Sequence, residues 1–349
     1  MLTLPIPMIV ALVLGFLFVR SWLQGDRPRL FSALLACSAL QGLVISLTQH
    51  YGLVEFRLLQ PVTATIIPPL AWVAFQATAI RAPDLPRDLA HLAVPAFTAF
   101  CVALAPVALD AVVPAVFLIY GALMLHALRR GADGLPLTRL EAGDVPALVW
   151  RAIALAFILS AFSDGLIVLA QVTGRSGLQP LIVSVFSSVW LLCIGALSLS
   201  QSLGEVEETP SSRRSAPAVE TTQPDTELLA RLNQLLAEQQ LYLDPGLTLA
   251  RLSKRLRVPA KQLSRAINQA TGENVSRFIN GFRIRHACER LQAGATVTTA
   301  MLESGFNTKS NFNREFLRVT GATPSAWRPP SVDPSLKTAD RTRARAQNG

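Results

Sequence analysis

Residues 297–316 read Val-Thr-Thr-Ala-Met-Leu-Glu-Ser-Gly-Phe-Asn-Thr-Lys-Ser-Asn-Phe-Asn-Arg-Glu-Phe. The pattern predicts a short helix from Val297 that stops at Gly305-Phe306, with Gly305 as a turn residue of positive φ. Asn307 or Thr308 then caps a second helix. That helix buries Phe312 and Phe316 and turns Lys309, Ser310, Asn313 and Arg314 away from them. Two short helices joined by a tight turn, the second carrying a polar face, describe a helix-turn-helix.

Working back along the chain, the same unit occurs a second time. Thr248 is placed to N-cap a helix that buries Leu249, Leu252 and Leu256, and Pro259 then suits the first position of the next helix. This next helix buries Leu263, Ile267 and Ala270 and offers Lys261, Ser264, Arg265 and Asn268 on its other side. Between the two units, a helix over about 274–291 changes its apolar face. Val275, Phe278, Ile279 and Phe282 share one side, and Ile284, Ala287, Cys288 and Leu291 lie roughly 180° round at about 100° per residue. Such a helix must pack against two bodies. It is suited to hold two reading helices in successive major-groove turns, about 34 Å apart.

Residues 247–328 resemble the DNA-binding domain of the AraC/XylS family of bacterial regulators. The resemblance rests on Leu247-Thr-Leu-Ala-Arg-Leu, Leu263-Ser-Arg, Arg283-Ile-Arg-His-Ala, the run from Gly305 to Phe316, and Thr320-Gly-Ala-Thr-Pro-Ser-Ala-Trp-Arg. Where the family usually has Ile-Ala before Gly-Phe, this chain has Ala300-Met301, followed by Leu302-Glu303-Ser304. The resemblance implies base readout by Lys261, Ser264 and Arg265 in the first unit, and by Lys309, Ser310, Asn313 and Arg314 in the second. Arg265 and Arg314 suit bidentate binding of guanine, worth about 1–3 kcal/mol of discrimination. Arg283, Arg285 and Arg318 are expected on phosphates. The family's cupin-like sugar-binding domain has no counterpart here, so no sugar ligand carries over. The layout resembles membrane-anchored members instead.

Charge agrees with this division. The 349 residues carry 32 Lys+Arg against 23 Asp+Glu, a net of +9, yet 51% are hydrophobic. The first 200 residues have 11 Arg, no Lys and 9 acids; residues 247–328 have 14 basic against 4 acidic residues, a net of +10. That local excess is the electrostatic footprint of phosphate contacts, although a solvated basic face or one docked on anionic lipid would share it. The oil lies elsewhere. Apolar runs of the roughly 20 residues a span requires occur at about 2–19, 30–48, 58–80, 91–109, 111–128, 152–172 and 179–200. The fourth and fifth form a hairpin broken near Asp110, and Pro68-Pro69 should kink or break the third. The first run, lacking a basic start, reads as a retained helix.

The expected fold class is therefore all-α: a polytopic bundle of about seven transmembrane helices, linked to a cytoplasmic helical domain with two helix-turn-helix motifs joined by a long helix. The expected divisions are 1–200 for the bundle, 201–226 for a flexible linker rich in Ser, Thr, Pro and Glu, 227–328 for the DNA-binding domain and 329–349 for a disordered tail. With seven spans, the loops on one side carry eight arginines and those on the other only Arg57 and Arg175. The positive-inside rule then places the N-terminus outside an inner membrane and the basic domain in the cytoplasm. The outside loops are too short for a domain, so a signal must arrive in the bilayer, at its surface or through another protein. Asp164, deep in a span, is the candidate sensing residue, with a protonated or hydrogen-bonded structural acid as the alternative. Gln60, Gln76, Tyr120, His126 and Gln171 suit interhelical hydrogen bonds.

The function expected is a membrane-embedded, sequence-specific transcriptional regulator. Its expected partners are double-stranded DNA half-sites, the lipid bilayer and a second copy of the chain, since paired domains gain from effective concentration. RNA polymerase and a membrane or periplasmic signalling protein are further candidates. No enzyme is expected, nor any cofactor or metal: the spans hold no HExxH, GxSxG, P-loop or paired acids, and the four cysteines are isolated. An intramembrane transporter or enzyme with a DNA-binding tail, and a non-transcriptional membrane anchor for DNA, are the alternatives.

Overall fold

A computed structural model describes residues 4–24, 29–179, 181–183, 185–186 and 223–327. Most of the 179–200 run, the linker up to residue 222 and the 329–349 tail lie outside the described residues. Among the described residues the chain is helical, with one isolated β-bridge, between Arg139 and Thr248.

The N-terminal part consists of α1 (Ile6–Gln24), α2 (Arg29–Gln49), α3 (Leu59–Phe75), α4 (Leu85–Ala90), α5 (Ala93–Leu104), α6 (Leu109–Ala127) and α7 (Val145–Val172). Among the described residues, six segments are long and apolar enough to cross a membrane: Ile6–Leu23, Arg29–Gln49, Leu59–Ile80, Leu85–Leu104, Pro106–Ala127 and Val145–Val172. The fourth and fifth are the expected hairpin, but the break falls at Ala105, ahead of Asp110. Pro106 explains the shift, because residues before proline avoid the helical region. Pro68 and Pro69 do not break α3, which runs through both and ends in a π-helical turn, Gln76–Ile80.

Small residues set the helix crossings. A Cβ on Gly121 of α6 would meet the Ala154 carbonyl of α7 at 2.9 Å and Ile158 at 2.9 Å. This close approach is how apolar helices gain contact without a hydrophobic driving force between them. The centre is filled by Phe75, Ala71, Ala74, Met124 and Ala154, all fully buried. Large apolar side chains such as Phe16, Trp22, Phe100, Ile119 and Phe162 point outward. Polar side chains are paired across helices: Thr48 donates to Gln60 at 2.9 Å, Thr63 to Gln41 at 2.5 Å, and His91 meets Tyr120 at 2.7 Å. Gln76 accepts from Arg81 at 2.6 Å.

The C-terminal part comprises α8 (Gln223–Gln239), α9 (Leu249–Leu256), α10 (Ala260–Thr271), α11 (Val275–Gln292), α12 (Val297–Glu303) and α13 (Lys309–Thr320). The two-faced α11 joins two cores, as its pattern requires. Val275, Ile279, Phe278 and Phe282 pack with Leu252, Leu263 and Ile267; Ile284, Ala287, Cys288 and Leu291 pack with Phe306, Phe312 and Phe316. Helix α8 completes the first core with Leu228, Leu232 and Leu236. It begins within the stretch that composition assigns to the linker.

Candidate nucleic-acid interface

Local signals place both reading helices. The Thr248 hydroxyl accepts from Arg251 N at 3.2 Å, capping α9 as expected. Pro259 stands one position before the first helical residue, as the cap of α10. Asn274 caps α11, accepting from Arg277 N at 2.9 Å. Gly305 has φ +81°, and a Cβ there would lie 2.7 Å from the Leu243 carbonyl and 2.8 Å from that of Tyr242. Glycine therefore serves both the turn and the close approach of the 241–244 segment. Thr308 precedes α13 without a side-chain cap bond.

On α10, Lys261 and Arg265 are exposed, whereas Ser264 is buried with Asn268 beside it, the Asn268 amide donating to the Ser264 carbonyl at 3.0 Å. On α13, Lys309 and Ser310 are exposed, and Asn313 and Arg314 half-buried. Each reading helix thus presents two of its residues openly and holds the others against neighbouring chain.

The three arginines expected on phosphates divide. Arg285 is exposed, its guanidinium 4.3 Å from the Phe282 ring centre. Arg283 is fully buried, which corrects its expected role. It donates to the Tyr242 carbonyl at 2.6 Å, the Asp244 carbonyl at 2.8 Å and Asn280 Oδ1 at 3.0 Å. Burial pushes its pKa down to about 10, against the pull of Glu141 and Asp244. It is a staple between α11 and the 241–244 turn, buried away from any surface that DNA could reach. Arg318 is also engaged internally, with Glu315 and Glu273, both at 2.9 Å, and with the Arg277 carbonyl at 3.1 Å. It ties α13 to the start of α11 and keeps part of its side chain exposed. Asp244 is shifted too: burial would raise its carboxyl, but Gly246 N–H, Arg251 and Arg283 hold it below the usual range.

The residues not singled out by sequence are the acids of the loop between α6 and α7. Asp133 accepts from Asn268 of α10 at 2.6 Å and from Val275 N at 3.1 Å. Glu141 is buried and accepts from Asn307 N at 2.7 Å. Asp144 accepts from Asn274 at 3.1 Å and Arg277 at 3.3 Å. Arg314 donates to the Ala142 carbonyl at 3.4 Å. Three of the nine acids in the first 200 residues fall within these 12 positions, a clustering visible in the sequence. Asp164 is half-buried in the middle of α7, far along the helix from this loop. Among the described residues there is no cluster of metal-ligating side chains.

A family model described as a helix-turn-helix domain matches residues 252–329. An uncharacterized HTH-type transcriptional regulator of Staphylococcus aureus is 27% identical over 99 residues, which are 28% of this chain. The chain covers 13% of the length of that relative. No solved structure matches. The chain thus carries a helix-turn-helix domain at residues 252–329, and over 99 residues it is similar to a transcriptional regulator.

Proposed function

We propose that this protein is a membrane-embedded transcriptional regulator that reads promoter half-sites with α10 and α13. The observation that carries the reading is α11. Its two apolar faces seat two helix-turn-helix units in separate cores and hold both reading helices in one body. The basic excess of residues 247–328 supplies phosphate affinity. Lys261, Ser264 and Arg265, with Lys309, Ser310, Asn313 and Arg314, are the base-reading set. The six apolar helices, with the seventh apolar run at 179–200 as a further crossing, are the membrane part; that odd number orients the N-terminus outside and the basic domain in the cytoplasm. Contact between that domain and the arginine-bearing α6–α7 loop supports this orientation, since both must lie on one side. We take the protein to act as a homodimer, with Asp164 as the sensing residue.

The test is binding of promoter DNA by the full chain in lipid nanodiscs. Arg265→Ala and Arg314→Ala should each lower discrimination at one base position by about 1–3 kcal/mol. Sequence preference unchanged in both variants would overturn the assignment. Transcript changes confined to genes near bound sites separate a regulator from a passive anchor. Asp164→Asn with unaltered output under every inducing condition would remove that residue from sensing.

A further inference from the structure

The loop between α6 and α7 belongs to two bodies. Its first part is built into the bundle: Leu128 and Leu135 lie in the bundle core, the Leu128 carbonyl accepts from Arg151 of α7 at 3.1 Å, and Leu137 N donates to the Ala79 carbonyl at 3.1 Å. Its second part is built into the DNA-binding domain. Leu140 is buried in the core that contains Leu247, Leu249 and Leu252, and its N–H donates to the Leu247 carbonyl at 3.0 Å. The Leu140 carbonyl accepts from Ser276 and Asn280, and the Pro136 carbonyl accepts from Ala250 N at 3.0 Å.

Around this anchor, the loop supplies carboxylates to donors on and between the reading helices. Asp133 takes the Asn268 amide of α10 and the first N–H of α11; Asp144 takes Asn274 and Arg277; Glu141 takes the Asn307 N–H just before α13. Arg314, a base-reading candidate, leans on the Ala142 carbonyl and lies 3.0 Å from where a Gly143 Cβ would stand. Helix-terminal N–H groups, asparagine amides and arginines are also the donors that DNA phosphates and base edges use. Duplex lying along α10 and α13 would compete for the Asn268, Asn307 and Arg314 donors that Asp133, Glu141 and the Ala142 carbonyl engage.

We propose that the Leu128–Asp144 loop is an internal competitor of DNA, which when docked holds Asn268 and Arg314 and when withdrawn frees both reading helices. This rests on the reading of α10 and α13 as DNA-binding helices. Because α6 and α7 carry the two ends of the loop, a shift of one against the other moves the competitor. Docking and DNA binding draw on one population: a loop docked in about nine molecules in ten lowers apparent affinity about tenfold, since only the undocked fraction binds.

Two variants of the full chain in nanodiscs test this. The first, Asp133→Asn with Glu141→Gln and Asp144→Asn, should bind promoter DNA about tenfold more tightly than the parent. Asp84→Asn with Glu227→Gln and Glu289→Gln, which removes the same three charges elsewhere, serves as the charge control and should not. The second, Asp144→Cys with Asn274→Cys in a chain whose four native cysteines are serine, should lose affinity when oxidised and recover it on reduction. Equal affinity of the oxidised and reduced forms, or a gain matched by the charge control, overturns the competition while leaving DNA binding in place. Failure of the parent and all variants to bind DNA overturns the function reading as well.

Discussion

Arg283 and Arg285 stand two residues apart on α11 and have opposite fates. Arg283 falls in the row Val275, Ile279, Arg283, Ala287, at intervals of four, and the other three members are all buried core. That row was visible in the sequence, yet a cation between two apolar faces reads as outward unless the acceptors that satisfy it are known. Those acceptors are carbonyls of Tyr242 and Asp244, some 40 residues upstream in the chain. Arg283→Ala should destabilise the C-terminal domain by about 2–5 kcal/mol, because it removes packing and orphans buried carbonyls. Hydrogen exchange of residues 241–244 would report it. Arg285→Ala should leave that exchange unchanged and lower the salt slope of DNA binding by about 1. Equal behaviour of the two variants would refute the division.

At the scale of the element, the helix-turn-helix units were almost wholly legible. Thr248, Gly305 and the spacing of the apolar residues act locally, over one or two turns, and so their effects can be read without a partner. Gly305→Ala places a Cβ in contact with two backbone carbonyls at positive φ, a strain of about 1–3 kcal/mol. It should loosen the second unit selectively. A DNase footprint shortened to one half-site, with the first half retained, is the expected result. Legibility fell where a partner decides. Helix α8 was not picked out, because its register of Leu228, Leu232 and Leu236 gains meaning only against α10. Helix α3 survives Pro68 and Pro69, where local rules alone predict a kink or break.

At the scale of the whole molecule, the α6–α7 crossing and the loop it carries join the apolar helices to the basic domain. Gly121→Leu demands room where the Ala154 carbonyl and Ile158 stand 2.9 Å from a Cβ, so α7 must move away from α6. If the loop relays that movement, hydrogen exchange of residues 135–144 rises several-fold in the variant, and DNA affinity rises with it. Unchanged exchange at those residues would show that the two bodies are not coupled through the crossing.

The sequence by itself determined the division of the chain into an oily and a basic part, the helical class, and two turn-linked helix pairs. Each depends on composition or on residues within a few positions of one another. Only the tertiary structure decided that Arg283 faces inward and that Asp133, Glu141 and Asp144 meet α10, α11 and the start of α13. These contacts join residues 130 or more positions apart, or groups whose partners are backbone carbonyls. No local pattern encodes such a partner, because burial and hydrogen-bond satisfaction are properties of the packed molecule.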